Sequence, residues 1–345
     1  MKAGVLFNIN DMRYVDFPDP ICGGNDVIVN VKACGICGSD PPRILKNWRY
    51  NLPAIPGHEF SGVVVEKGKE VGDFEIDDKV VVVPFIPCGN CENCKKGKYS
   101  LCNYNDMLGS KSPGGFSEYV RVPSTNLLKF NNIDFESAAM IEPLAVALHG
   151  VLGIEPVIGD TVAIMGAGTI GQLVAQWLRV SGIKDIIAVD ISSTKLKEAK
   201  DLGASICINA KEKDPIDEIM KITSQKGVDI AFECAGSKMT QEQCLLVTKK
   251  SGKVAYLGIA YSDIHLQEKS FESIFRKELT LKGFWNSYSA PFPGQEWLKS
   301  IKYVENGSIK LMPMISHRFK LSQISDAFNM IAERKEEYNK IMIIP

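Results

Sequence analysis

Residues 161–171 read TVAIMGAGTIG. Thr161 to Met165 is an apolar run of strand length. Gly166-Ala167-Gly168-Thr169-Ile170-Gly171 follows as G-x-G-x-x-G, and a helix-like stretch then continues to about Val180. The first glycine permits a tight turn, and the second lets the backbone approach a pyrophosphate. The third allows close packing of helix on strand, and the helix start offers N–H groups and a positive dipole end to the anion. About 20 residues on, a second apolar strand, Ile186 to Asp190, ends in a carboxylate placed to accept hydrogen bonds from a ribose. That carboxylate repels a 2′-phosphate, and Ile191, Ser192 and Ser193 supply no arginine to receive one, so NAD is expected over NADP. Gly166, Gly168, Thr169, Ile170, Gly171 and Asp190 are the candidate cofactor residues. Lys195 joins them as a group within reach of the ribose edge, or else is a solvated helix lysine. The bland alternative is a structural strand-to-helix turn with a chance acidic residue after it.

Outward from this turn the chain keeps alternating. Ser192 and Ser193 are cap candidates for a helix over Thr194 to Leu202, and further apolar strands are expected over Val228–Phe232 and Lys253–Leu257. Strands that are apolar throughout, alternating with helices, indicate an α/β domain with a doubly wound parallel sheet. Before residue 150 the texture is different: short β-rich pieces such as Val27–Val31, Gly62–Glu66 and Lys79–Val83, punctuated by Gly, Pro and Asn. After residue 285 a Pro/aromatic segment leads to two helix-like stretches and a terminal apolar strand, Lys340–Ile344, expected to pack back on the first domain. The boundaries expected are 1–147 with 285–345 for one domain and 148–284 for the nucleotide domain.

A chain of 345 residues with 45% apolar and 23% charged residues fits two globular domains and is not disordered. A formal net charge of -1 argues against nucleic-acid or anionic-membrane partners. Met1 to Asn10 lacks a secretory layout, and no apolar run approaches the ~20 residues of a membrane span, so a cytoplasmic location is expected.

Ten cysteines in so long a chain suggest metal more than a disulfide framework. Cys88, Cys91, Cys94 and Cys102 are spaced C-x2-C-x2-C-x7-C in a Gly/Asn/Lys-rich lobe at about 86–104. Four thiolates close a tetrahedral zinc shell with no open position, the mark of a structural site. Lys95, Lys96 and Lys98 are expected to favour the thiolates; an iron–sulfur cluster is the rival reading. A catalytic metal needs an open position. Among four histidines, His58 lies in Gly57-His58-Glu59, Cys37 in Cys34-Gly35-Ile36-Cys37-Gly38-Ser39-Asp40, and Glu142 in Ile141-Glu142-Pro143. On pattern alone these remain either three ligands or a core cysteine, a satisfied histidine and a helix-entry glutamate.

Taken in order, Cys37 with Gly38-Ser39-Asp40, Gly57-His58-Glu59-Phe60, the four-cysteine lobe, Gly114-Gly115-Phe116-Ser117-Glu118-Tyr119, Glu142-Pro143 and the glycine turn resemble the zinc-containing medium-chain alcohol dehydrogenases over essentially the whole chain. The resemblance implies a GroES-like β-rich catalytic domain built from both chain ends, around a Rossmann NAD-binding domain. It further implies two zinc ions per subunit and a homodimer or homotetramer. Within the family the chain is similar to the sorbitol-dehydrogenase branch, which implies catalytic zinc on Cys37, His58 and Glu142, with Glu59 as alternating ligand or water-holder and Ser39 passing the proton. Asp40-Pro41-Pro42-Arg43-Ile44-Leu45-Lys46-Asn47, Gly109-Ser110-Lys111, Arg276 to Thr280 and Tyr288 to Trp297 resemble members that act on polyol phosphates. A phosphorylated substrate needs cations, for which Arg43 and Lys46, with Arg49, Trp48 and Tyr50 beside them, are candidates; the bland reading is a solvated loop. One departure is that Pro41-Pro42-Arg43 stands where many family members carry a relay histidine. A free-polyol or threonine-type dehydrogenase, or a non-catalytic NAD-binding protein on the same fold, are the competing readings.

Overall fold

In the computed structural model, which describes residues 1–334 and 336–345, the chain forms two compact units, 1–142 with 288–345 and 143–287. These limits lie a few residues from 147/148 and 284/285. The reason at the first crossing is local: helix Ile141–Ile154 is continuous, and its first turn, with Glu142, belongs to the first unit.

The second unit holds a six-stranded parallel sheet. From edge to edge its order is Ile206–Asn209, Asp185–Asp190, Thr161–Met165, Val228–Glu233, Thr248–Tyr256 and Thr280–Gly283. The strand order reverses direction between Thr161–Met165 and Val228–Glu233, the place where such sheets bind ligands at their C-terminal ends. The inner strands are buried on both faces, which is why Val162, Ala163, Ile164 and Met165 show no polar alternation. Helix Thr169–Val180 covers the sheet with Leu173, Val174 and Trp177, and the Trp177 indole donates to the Leu144 carbonyl at 3.0 Å. Ser192, not Ser193, caps the helix Ser193–Asp201 by accepting the Lys195 N–H.

The first unit is built on a mixed sheet. Its strands run Ile315–Lys320, Lys340–Ile344, Asp26–Ile36, Glu59–Lys67, Lys79–Val82 and Leu127–Lys129, with Tyr119–Pro123 also paired to Asp26–Ile36. Its core gathers Val29, Phe60, Phe116, Phe328 and Ile343. The terminal strand pairs antiparallel with Asp26–Ile36, so residues 304 apart in sequence become neighbours. The sequence suggested little helix here. In fact Asp40–Lys46, Phe135–Ala139 and the start of Ile141–Ile154 are helical. Pro41 and Pro42 occupy the first turn of Asp40–Lys46, where a missing N–H costs nothing. Among the described residues no helix is long and apolar enough to cross a membrane.

Candidate active site and metal centres

Strand register assembles the first cluster. Gly35 pairs with Glu59, so the strand end leading to Cys37 lies beside the strand start that follows His58. Ile341 pairs with Ile36, which brings Lys340 to the same corner. The ligand atoms of Cys37, His58 and Glu59 lie within 4.8 Å of one another; His58 and Glu59 are buried, and Cys37 keeps partial exposure. Ser39 donates its hydroxyl to the Cys37 sulfur at 3.2 Å. Glu142 is buried but lies outside that 4.8 Å group; its charge nevertheless acts on Cys37. Burial pushes its carboxyl up to about 7, against the pull of His58. Burial likewise pushes the Cys37 thiol up, with Glu59 and Asp40 adding to the effect.

Two residues that the motifs did not single out belong to this corner. Asp40 is buried; its Oδ2 accepts the Cys37 N–H at 2.9 Å, and its Oδ1 stands 3.5 Å from His58 Nδ1. One carboxylate thus anchors the Cys37 backbone and faces the imidazole without hydrogen-bonding it. Lys340 is the second: its Nζ donates to Glu59 Oε2 at 2.6 Å and to the Ile36 carbonyl at 3.1 Å, fully buried. Burial pulls this ammonium down, yet Glu59 and Cys37 hold it above the ordinary lysine value. Asp40 follows Cys37 by three residues and was legible as a partner; Lys340 was not, because its partner is 281 residues away.

The donor set fits a zinc ion. Thiol, imidazole and carboxylate are its protein ligands. His58 Nδ1 is buried without a hydrogen-bond partner among the described residues. Three buried carboxyl groups and a thiol share the corner with one lysine, acidic groups whose ionised forms a bound cation would favour.

The four-cysteine lobe fits a second ion. All four sulfurs lie within 4.8 Å, with Cys88 to Cys94 at 4.0 Å and Cys91 to Cys102 at 3.9 Å. Tetrahedral zinc at a Zn–S distance of about 2.3 Å requires sulfurs about 3.8 Å apart. All ten cysteines are free, so no disulfide framework exists. At Cys88 and Cys91 backbone N–H groups favour thiolate, a correction to the lysine reading, while burial pushes the Cys94 thiol up to about 12. The N–H groups of Cys94 and Asn103 bring Cys91 down to about 6, while Lys96 pairs with Glu92.

In the second unit the glycine turn has the expected form. Gly166 has φ +105°, and a side chain on Gly171 would place its Cβ 2.0 Å from the Gly166 carbonyl. A Cβ on Gly168 would meet nothing within 4 Å, so the space over this turn is open, as a pyrophosphate requires. Thr169 and Ile170 form the first turn of the helix, at its positive dipole end. Asp190 Oδ2 accepts the Ala167 N–H at 2.8 Å and Oδ1 the Ser192 N–H at 2.9 Å, each oxygen retaining acceptor capacity. Lys195 lies half-buried in the next helix. Sequence reasoning passed over Glu233, buried at the end of the neighbouring strand. It accepts from the Ala235 and Gly236 N–H groups at 3.0 and 2.9 Å and so fixes the turn facing Gly166.

The proposed phosphate cations separate. Arg43 is half-buried and its charge reaches Asp40; Lys46, Arg49 and Tyr50 are exposed, while Trp48 is buried and donates to the Asn51 carbonyl.

Residues 23–132 match the alcohol dehydrogenase GroES-like domain and residues 169–302 the zinc-binding dehydrogenase domain. The chain belongs to the zinc-containing medium-chain alcohol dehydrogenase family. Its GroES-like and Rossmann-type domains make it an oxidoreductase of that zinc-binding group. It is 36% identical to galactitol 1-phosphate 5-dehydrogenase of Escherichia coli (strain K12) over 322 residues, 93% of each chain. A crystal structure of galactitol-1-phosphate dehydrogenase from Escherichia coli superposes with a TM-score of 0.94 at 35% identity over the whole of both chains. Sorbitol dehydrogenase of Bacillus subtilis (strain 168) is 31% identical over all of this chain and 97% of its own. A zinc-binding dehydrogenase from Sinorhizobium meliloti 1021, solved bound to NADP, gives a TM-score of 0.91 at 30% identity over 100% of this chain and 99% of that one.

Proposed function

We propose that this family member oxidises a secondary hydroxyl of a polyol phosphate with NAD+, with galactitol 1-phosphate giving tagatose 6-phosphate as the specific reaction. The observation that carries the chemistry is the buried corner of Cys37, His58 and Glu59, oriented by Asp40 and open at Cys37. Cys37, His58 and Glu142 would hold zinc there, with Glu59 beside them, and Cys88, Cys91, Cys94 and Cys102 would hold a structural zinc. Bound in that corner, zinc supplies Lewis acidity toward the substrate hydroxyl. Ser39, already donating to the Cys37 sulfur, takes up and passes on the hydroxyl proton. Asp40 holds the Cys37 backbone and faces the imidazole, and Lys340 holds Glu59 in place. The turn at Gly166–Gly171, open over Gly168, would hold NAD+, which when bound supplies the hydride acceptor.

Asp190 supports NAD over NADP, since its carboxylate would face a 2′-phosphate. Arg43 supports the phosphorylated substrate, its charge acting on Asp40 at the Cys37 corner. The chain works as a homodimer or homotetramer in the cytoplasm. The edge strand Thr280–Gly283, exposed at all four residues and flanked by exposed Trp285, Phe271 and Phe275, is the surface that favours self-association.

The test is NADH formation by zinc-loaded protein on galactitol 1-phosphate, with galactitol, sorbitol, pentitol 5-phosphates and NADP+ in parallel. Preference for galactitol 1-phosphate supports the specific reading. Turnover of unphosphorylated polyols alone removes the phosphate and returns Arg43 and Lys46 to the solvent. Cys37→Ser should abolish turnover and leave NAD binding intact; retained turnover would sink the zinc mechanism.

A further inference from the structure

Tyr288 opens the second stretch of the first unit, as Glu142 closes the first. Its ring is fixed by stacking, with Phe85 at 4.8 Å and 25°, Phe292 at 5.9 Å and 27°, and Trp297 at 6.1 Å and 12°. The residue is 3% exposed, its hydroxyl oxygen faces the Phe85 backbone N–H, and its O–H finds no acceptor among the described residues. Buried hydroxyls are nearly always paired, so an orphan O–H held this rigidly marks a place where a partner arrives. The ring stack gives the hydroxyl little freedom to seek one elsewhere. Burial raises its proton affinity, and the charged side chain acting on it is Glu142. Glu142 in turn shares its field with Cys37, His58 and Glu59, and none of the hydrogen bonds described above fixes its carboxylate.

We propose that Tyr288 is a positioning residue for Glu142: its hydroxyl donates to the Glu142 carboxylate, directly or through one water, and turns it toward the Cys37–His58 corner. This rests on the reading of Glu142 as a ligand of the catalytic zinc. A neutral phenol serves this better than a cation, since it orients the carboxylate without neutralising the charge that the metal needs. The stack on Phe85, Phe292 and Trp297 supplies the rigidity, and Tyr288→Phe keeps that stack while deleting the donor.

The experiment is a chelator titration of the full-length zinc-loaded protein, reading zinc release with a colorimetric reporter for wild type, Tyr288→Phe and Glu142→Gln. The four-cysteine site provides a second release step that neither substitution touches, and so reports that the variants are folded. Tyr288→Phe is expected to weaken the first-released zinc about tenfold, leave the second unchanged, and shift the visible bands of the cobalt-substituted protein. No shift in Tyr288→Phe while Glu142→Gln shifts the first step overturns the positioning role. A shift of both steps in Tyr288→Phe overturns it too, as a general packing effect. If Glu142→Gln leaves zinc binding unchanged, the ligand reading itself fails, whatever Tyr288→Phe does.

Discussion

Lys340 Nζ lies 2.6 Å from Glu59 Oε2, and both groups are withdrawn from solvent. Gly35 makes room for the pair, since a Cβ there would come within 2.4 Å of Glu59 Oε2. Breaking one side of such a pair strands the other charge in low dielectric. Lys340→Met is therefore expected to destabilise the protein by about 3–5 kcal/mol, whereas Lys340→Met with Glu59→Gln should recover most of that loss. Urea unfolding at pH 7 of the two single variants and the double variant measures it. Equal losses in Lys340→Met and the double variant would mean that packing, and not charge, sets the cost.

Glu142 should make the metal-free corner sensitive to pH. Its carboxyl is raised from 4.5 to about 7 by burial, so between those values the folded chain holds a proton that the unfolded chain has released. The contribution to stability is thus full below pH 4.5, falls as pH rises, and is gone above about 7. The total change is about 3 kcal/mol. Protein with the Cys37-site metal chelated should lose melting temperature over this range, and Glu142→Gln should flatten the slope. Zinc uptake near pH 6 should release the Glu142 proton, measurable in a weakly buffered titration.

Much of the nucleotide domain was legible because its determinants are local. The strand Thr161–Met165, the glycine turn and the helix to Val180 stand where the residues 161–180 place them. The Cys37–His58 corner was legible only in pieces. Cys37 and His58 flank the ends of two strands whose register brings them together, and no single window of sequence contains that register. Lys340 was hidden for the same reason, and its place in the apolar strand Lys340–Ile344 gave no sign of an ion pair. Helix Asp40–Lys46 was missed because Pro41 and Pro42 read as loop punctuation, although prolines at a helix start are favoured.

The four-cysteine lobe has little structure of its own beyond a four-residue helix at Glu92–Lys95 and a short turn at Tyr99–Leu101. Its order should then depend on the metal. Cys91→Ser is expected to lower zinc content by about one ion per chain and to open residues 86–104 to protease, while NAD binding persists. Elemental analysis and limited proteolysis followed by mass spectrometry check it. Undiminished zinc in Cys91→Ser would place that ion elsewhere.

Gly168 and Gly171 separate cofactor binding from folding. A methyl group at Gly171 would meet the Gly166 carbonyl at 2.0 Å, so Gly171→Ala must push the helix off the strand. It is expected to lower the melting temperature and NAD affinity together. At Gly168 the added carbon meets no protein atom within 4 Å and protrudes into the space over the turn. The backbone there is extended, with φ -74° and ψ -166°, a conformation open to alanine. Gly168→Ala should leave the melting temperature within about 1 °C of wild type while weakening NADH binding at least tenfold by fluorescence titration. Removing a backbone-to-pyrophosphate approach costs a few charge-assisted hydrogen bonds of about 1.5–3 kcal/mol each, enough for that loss. If Gly168→Ala binds NADH as wild type does, the pyrophosphate does not lie over this turn, and the proposed cofactor site must be redrawn.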